Sequence, residues 1–429
     1  MRILRETRSV CPKCLKNLPA QLVEEDGRIY MRKECSEHGS FSTVIWHGKS
    51  SFDDWRGNVS PLGEKDGLGC PENCGICREH LQGTCCVLLE VTRRCNLHCR
   101  FCFADGEMPE PTLAELKRAV DDIFSRGKPT IQLSGGEPTL RNDLPELIQY
   151  IKLHGGKYIQ LNTNGLRLAD DERYVKSLAA AGLSYVFLQF DGVTDNVYLS
   201  LRGEPLFERK QRAIELCARH GIGVTLVPTV VRGVNDQQIG DIVQYAVSMS
   251  PKVRGIHFQP VSYFGRYPHG DNEARYTLDE LIAALGEQAE INERNIAPSR
   301  CDHPGCGFHA SFSVTDAGEL VSLTWRMRTA VDTMTTAEKT REYIGSRWSA
   351  APSCCEPEAE PSSCCCDGDL PTLDGFLNNA KTRSFTITAM AFQDAMNLDV
   401  ERLRRCSLHV YANGVLKPFC AAYLTGIGE

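Results

Sequence analysis

The sequence predicts an α/β fold: a parallel sheet of six β–α units carried between two cysteine-rich extensions. Two observations predict it. From residue 87 to residue 260, short β-rich runs alternate with amphipathic helical stretches. Such alternation implies a parallel sheet, curled or open, with right-handed crossovers. The chain also carries 21 cysteines, most of them in tight groups on either side of that region.

In chain order, residues 1–60 are short strand-like pieces around Cys11-x2-Cys14 and Cys35-x2-His38, expected to form a small metal-ribbon domain. Residues 61–86 are a Gly/Cys-rich segment suited to an auxiliary cluster. The core is expected over 87–265. Its strands are read at 87–92, 130–133, 158–162, 185–190, 223–230 and 255–260. Between the first two, Leu113, Leu116, Val120 and Phe124 recur at helical spacing over 113–124. From 266 to 429 the alternation stops, and a C-terminal auxiliary-cluster domain is expected. It holds a helical run at 277–291 and a second cysteine region from Cys301. A Pro/Glu/Ser/Cys-rich insert at 351–369 has no apolar period and reads as a loop or disordered insert. Asn413-Gly414 between two apolar runs signals a hairpin, which would place residue 407 opposite 420 and bring Cys406 and Cys420 together.

Composition narrows the function classes. Hydrophobic residues make up 42% and charged residues 24%, the balance of an ordinary soluble globular protein. A net charge of −7 argues against general binding to a phosphate backbone, so no nucleic-acid partner is expected. No apolar run reaches roughly 18 residues, so no transmembrane segment is expected. The opening MRILRETRSVCPKC lacks the apolar region of a signal peptide, and a cytoplasmic location follows as an expectation. In a reducing compartment, grouped thiols read as metal ligands rather than disulfides.

Chemistry in a βα repeat collects on the loops after the C-terminal ends of the strands. Cys95-x3-Cys99-x2-Cys102 occupies the loop after the first strand. Three thiolates at this spacing suit an iron–sulfur cluster in which one iron lacks a protein ligand. Ser134-Gly135-Gly136-Glu137-Pro138 follows the second strand; its glycines would let backbone approach a ligand, and Glu137 would supply an acceptor. Asn162, Asn164 and Gly165 follow the third strand and Asp191 the fourth. These turns would ring one rim beside the incomplete cluster.

The other cysteines form three further groups. Cys70, Cys74, Cys77 and Cys85 supply four thiolates, for an electron-transfer or structural [4Fe–4S] cluster, with zinc as the alternative. Cys301 and Cys306 would join Cys406 and Cys420 of the hairpin in another. Cys11, Cys14, Cys35 and His38 have knuckle spacing and predict one tetrahedral mononuclear metal, zinc or a rubredoxin-like iron. Cys217 has the place of a buried helical residue. Cys86 and the insert's Cys354, Cys355, Cys364, Cys365 and Cys366 fall in no group; the insert thiols suit capture of a soft ion, thiol exchange or a plain solvated loop.

CxxxCxxC with Phe101 before the last cysteine, followed by GGEP at 135–138, resembles the radical S-adenosylmethionine (SAM) superfamily. The resemblance implies a partial (β/α)6 TIM-like barrel. It implies that Cys95, Cys99 and Cys102 hold a [4Fe–4S] cluster whose open iron takes the methionyl group of SAM. One-electron cleavage would then yield a 5′-deoxyadenosyl radical that takes hydrogen from an unactivated carbon. Residues 134–138 would hold the methionine amine, and Asn162, Asn164 and Asp191 would contact the ribose and its surroundings. The order CPKC…CSEHG, GCPENCGICREHLQGTC, LLEVTRRCNLHCRFCFAD and LRRCSLHVYANGVLKPFC is similar to the tetraether lipid synthase and pterin-methylase family. That similarity implies one or two auxiliary [4Fe–4S] clusters, a mononuclear site, and C–C bond formation or methyl or alkyl transfer on a lipid or pterin-like small molecule. It departs from the family at His38, where an all-cysteine site would have a thiolate, and at the insert. A low-potential donor of the ferredoxin or flavodoxin type is the expected electron partner, with peripheral membrane contact if the substrate is a lipid. Two other readings stand beside it: a peptide-modifying radical enzyme with auxiliary clusters, and a non-catalytic iron–sulfur carrier or metal-binding protein. The open iron opposes the carrier, which has no use for one.

Overall fold

Alternation of apolar and polar residues over the first 46 positions folds as an antiparallel meander. Its strands are β1 (Arg2–Val10), β2 (Asn17–Glu25), β3 (Arg28–Cys35) and β4 (Gly39–Trp46), in spatial order β1-β2-β3-β4. In β3, Ile29, Met31, Lys33 and Cys35 point inward while their neighbours face out, the two-residue period of a half-buried strand. Asp26 and Gly27 both take positive φ, as a two-residue hairpin turn between right-twisted strands requires. A short helix α1 (Phe52–Arg56) follows. The computed structural model describes residues 1–57, 69–71, 80–102, 110–263, 274–299, 301–324, 337–350 and 382–425. Cys74, Cys77 and the five insert cysteines lie outside the described residues.

The predicted βα alternation is present. It runs β5 (Cys86–Thr92), α2 (Leu113–Ser125), β6 (Thr130–Gly135), α3 (Leu144–Leu153), β7 (Ile159–Thr163), α4 (Leu166–Asp170), α5 (Glu172–Ala181) and β8 (Tyr185–Gln189). It continues α6 (Asp195–Arg202), α7 (Phe207–Arg219), β9 (Gly223–Val227), β10 (Thr229–Val230), α8 (Ile239–Ser248) and β11 (Val253–Pro260). Helix α2 starts where the sequence supplies a reciprocal Thr112/Glu115 capping box, and it buries Leu116, Ala119, Val120 and Ile123 against the sheet. Cys217 is buried on α7, as expected.

The C-terminal region differs from the expectation of a separate domain without βα strands. After α9 (Leu278–Ala289), β12 (Ala297–Pro298), β13 (Gly307–Val314), β14 (Leu320–Ser322) and α10 (Ala337–Trp348), two more strands join the core sheet. Strand β15 (Ser384–Met390) pairs in parallel with β11, and β16 (Leu408–Ala412) in parallel with β5. The six core strands thus become eight parallel neighbours, β16-β5-β6-β7-β8-β9-β11-β15, along one open path of a 13-stranded sheet. Strand β17 (Val415–Pro418) pairs with β16 across Asn413 and Gly414, both at positive φ. The predicted register holds, with His409 opposite Pro418. Pairing stops there because Pro418 has no N–H and a helix, Phe419–Thr425, begins. Cys420 therefore sits in a helical turn rather than on a strand.

The ribbon docks onto this core through charge. Arg5 bridges Asp399 and Glu401 at the start of the helix Val400–Arg404, and Thr7 Oγ1 donates to Asp399 at 2.7 Å. Burial, the largest single influence, would raise the Asp399 carboxyl, but the Arg5 charge with the hydrogen bonds of Arg5 and Thr7 and the nearby His303 together hold it below its usual value. Asp279 on α9 accepts from the backbone N–H groups of His47 and Lys49. Among the described residues, no helix is long and apolar enough to cross a membrane.

Candidate active site at the sheet rim

The loop after β5 is anchored by one apolar residue. Leu97 is buried with Leu166, Tyr198 and Leu206, which leaves Cys95, Cys99 and Cys102 facing a common cavity. The three thiols act on one another: burial, with the charges of Glu137, Cys99 and Cys102, pushes the Cys95 thiol up to about 11. A metal that replaces the protons relieves this, since thiolates and not thiols are the ligands.

The cavity has a volume of ≈ 210 Å³. Its wall takes residues from strand ends right round the rim, among them Ser134, Asn162, Gln189, Thr229 and Gln259, as the loop argument predicts. Phe392, just beyond β15, closes the far side. A smaller cavity of ≈ 60 Å³ shares the wall Pro260–Ser262 and Phe392, and ribbon residues Arg5, Met31 and Trp46 line it. The ribbon thus reaches the neighbourhood of the rim.

The Gly135-Gly136 turn has a cause other than room for a ligand. A Cβ on Gly135 would lie 2.2 Å from Thr92 O, and one on Gly136 2.2 Å from Arg94 O. The glycines let the β6 turn lie against the root of the cysteine loop. There Gly136 N–H donates to Thr92 O at 2.8 Å and Glu137 N–H to Arg94 O at 2.7 Å. Glu137 is 1% exposed, and its carboxylate is taken up by the chain itself. Oε1 accepts from Thr139 N, Thr139 Oγ1 and Thr163 Oγ1 at 2.6–3.0 Å, and Oε2 from Asn164 N at 2.7 Å. The expected acceptor is a brace that ties the second rim loop to the third. Pro138 opens the buried 3-10 turn Pro138–Leu140 behind the rim.

Asn164 carries the brace onward. Its Nδ2 donates to Asn96 Oδ1 at 2.7 Å, inside the cysteine loop, and Lys210 Nζ donates to its carbonyl at 2.5 Å. Lys210 is fully buried, and burial pulls its ammonium down to about 7. Asn162 faces the cavity beside Ser134, with Gln160 donating to its Oδ1 at 2.8 Å.

Asp191 departs from its expected place at a ribose. It is 0% exposed and forms a two-pronged pair with Arg202, Nε to Oδ2 and Nη2 to Oδ1 at 2.7 Å each. Thr229 N–H adds a third bond at 3.1 Å. Arg202 is the residue that lines the cavity. Its guanidinium lies 4.7 Å from the centre of the Phe101 ring and reaches the Cys99 sulfur. Gln189, with its amide turned to satisfy both groups, accepts from Arg202 at 2.7 Å. Burial, the largest single influence, would lower the Arg202 pKa, but the charge and hydrogen bonds of Asp191 together with the Cys99 sulfur hold the group above its ordinary value. The sequence gives little sign of this role, because Arg202 closes α6 just before Gly203, where a cation reads as a solvated helix end.

A second convergence lies in the ribbon. The ligand atoms of Cys11, Cys14, Cys35 and His38 all lie within 4.8 Å of one another. His38 Nδ1 is 3.5 Å from both Cys11 Sγ and Cys35 Sγ. Burial would raise the Cys11 thiol, but the backbone N–H groups of Cys14 and Lys13 outweigh it and hold it below its usual value. Three soft sulfurs and one imidazole around a common point fit a single tetrahedral ion.

Cys70 is buried in the cluster that contains Cys420. Cys306 and Cys420 lie within electrostatic reach of Cys406, whose thiol burial pushes well up. Cys301 touches Cys85. Cys86 Sγ donates to Gln132 Oε1 at 3.4 Å.

Comparison with known proteins matches this geometry. Residues 89–246 match the radical SAM superfamily, and residues 3–47 the HMPTM N-terminal zinc ribbon domain. Fe-coproporphyrin III synthase of Methanosarcina barkeri is 35% identical over 51% of this chain and 56% of its own. The crystal structure of Streptococcus suis SuiB bound to precursor peptide SuiA superposes with a TM-score of 0.42 at 18% identity, over 50% of this chain and 48% of that one. Fold and rim together define a radical SAM enzyme, which uses a [4Fe–4S] cluster and SAM, a reductant and a small-molecule substrate. The similarity then extends to the whole chain: 7,8-dihydro-6-hydroxymethylpterin dimethyltransferase of Methanocaldococcus jannaschii is 35% identical over 97% of this chain and 92% of its own. The chain belongs to the radical SAM methylase family of that enzyme.

Proposed function

We propose that this enzyme transfers one-carbon groups to a pterin-type heterocycle. The observation that carries the reading is the 35% identity to the pterin dimethyltransferase across 97% of the chain, ribbon included. A compact cavity whose largely apolar wall carries a few hydrogen-bonding groups, among them Ser134, Asn162, Gln189 and Gln259, suits a flat heterocycle.

In this reading Cys95, Cys99 and Cys102 hold the [4Fe–4S] cluster, which when loaded supplies the electron that cleaves SAM. Ser134, Gly135 and Gly136 present backbone to the methionine amine at one edge of the wall. Asn162 offers its amide to the ribose side. Glu137, Asn164 and Asp191 act from behind the wall: they keep the rim loops in register, and Asp191 does so through Arg202. Arg202 and Phe101 shield the Cys99 side of the cluster loop from water. The ribbon holds one mononuclear ion, zinc or iron, on Cys11, Cys14, Cys35 and His38. Cys70, Cys74, Cys77 and Cys85 with Cys301, Cys306, Cys406 and Cys420 supply one or two auxiliary [4Fe–4S] clusters. A low-potential donor of the ferredoxin or flavodoxin type delivers the electron. A cytoplasmic, reducing setting fits the free thiols of this chain.

Anaerobic incubation of the reconstituted enzyme with 7,8-dihydro-6-hydroxymethylpterin, SAM, dithionite and a folate-type one-carbon donor tests the reading. The pterin is expected to gain the mass of one or two methyl groups. Formation of 5′-deoxyadenosine with no change in the pterin's mass would move the substrate to another class.

A further inference from the structure

Eight of the cysteines outside the rim and ribbon groups fall into an upstream four and a C-terminal four. The described members are divided differently in space. Cys85 and Cys301 share one residue, Ser407. Cys85 N–H donates to Ser407 O at 2.9 Å, and Ser407 Oγ donates to Cys301 Sγ at 3.3 Å. Gln82 Nε2, three residues before Cys85, donates to Cys301 O at 2.8 Å.

Cys306 turns the other way. Its carbonyl accepts from Ala391 N–H at 2.7 Å, and its sulfur from Arg402 Nε at 3.3 Å. Two residues past Ala391, Gln393 N–H donates to Cys420 Sγ at 3.2 Å. The segment 391–393 therefore holds Cys306 and Cys420 on one side. Between Cys301 and Cys306 the chain passes through the 3-10 turn Pro304–Cys306, which His303 caps. The topology gives a reason for the crossing. Strand β16 pairs in parallel with β5, Leu408 opposite Cys86, so the approach to β16 runs beside Cys85.

We infer that the auxiliary ligand sets interleave: Cys301 binds the iron–sulfur centre that also uses Cys85, while Cys306 and Cys420 serve a second centre. The inference rests on the auxiliary-cluster part of the proposed function and refines it. The first centre would cross-link segments more than two hundred residues apart in the chain, and so fasten the C-terminal region to the start of the core sheet.

Anaerobically reconstituted full-length protein tests the partition through iron and sulfide content and the EPR signals of the reduced clusters. Cys85→Ala and Cys301→Ala are expected to remove the same signal, and the double variant to lose no more iron than either. Cys306→Ala and Cys420→Ala are expected to remove a different signal. The change in the rim cluster's own signal on adding SAM shows that each variant has folded. Loss of one shared signal by Cys301→Ala and Cys306→Ala would overturn the partition. So would a Cys85→Ala/Cys301→Ala variant that loses twice the iron of either single change. Wild-type protein with no iron–sulfur signal beyond the rim cluster would instead remove the auxiliary-cluster reading itself, and the partition with it.

Discussion

Cys99→Ala is expected to abolish conversion of SAM to 5′-deoxyadenosine and to remove one cluster's worth of iron while the ribbon keeps its ion. The rim loop offers three thiols to a cluster of four irons, so it has no spare ligand. Cys99 also packs against the Leu97 anchor and meets Arg202, so its loss leaves a guanidinium facing a gap. Metal analysis and chromatography of the nucleoside products read both effects. Continued turnover in this variant would mean that the radical chemistry does not run from the rim loop.

The largest effect on stability is expected at Arg202→Met. The pair with Asp191 is buried on both sides, with side-chain exposures of 3% and 0%. Removing one partner of a buried pair leaves the other charge uncompensated, at a cost of about 3–5 kcal/mol. Asp191 would keep the Thr229 N–H and lose both prongs of the guanidinium. Adding Asp191→Asn to Arg202→Met should restore a large part of the loss, because no charge is then stranded. Arg202→Lys should restore little, since an ammonium cannot reproduce the planar fork or stack on Phe101. Denaturant unfolding followed by circular dichroism measures all three. Additive losses in the double variant would mean that the pair is not the source of the stability.

Strands were legible wherever their neighbours in space are also neighbours in sequence. The runs at 87–92, 130–133 and 185–190 became β5, β6 and β8 because each apolar strand is followed by its own amphipathic helix. The hairpin about Asn413-Gly414 was legible to the register, since its turn alone fixes the pairing. β15 and β16 were not, because a parallel strand that docks on a distant edge carries no local mark of its partner. The same limit applies to the side chains. Three cysteines at x3 and x2 on a rim loop leave few chemical options, and they face the rim cavity together. A carboxylate such as Glu137 or Asp191 reads alike in sequence whether it meets a ligand, a backbone N–H or a buried arginine. The grouping of Cys85 and Cys301 escapes spacing for the same reason: spacing reports local geometry, and their contact is made through the fold.

Isotope transfer tests the central claim most directly. The enzyme is incubated anaerobically with SAM and dithionite, once with deuterium-labelled pterin and once with a deuterium-labelled one-carbon donor, and the 5′-deoxyadenosine is weighed by mass spectrometry. Deuterium is predicted in the 5′-deoxyadenosine of one of the two runs, carried there by hydrogen abstraction in the rim cavity. Methylated pterin formed with no deuterium in the nucleoside of either run would contradict it.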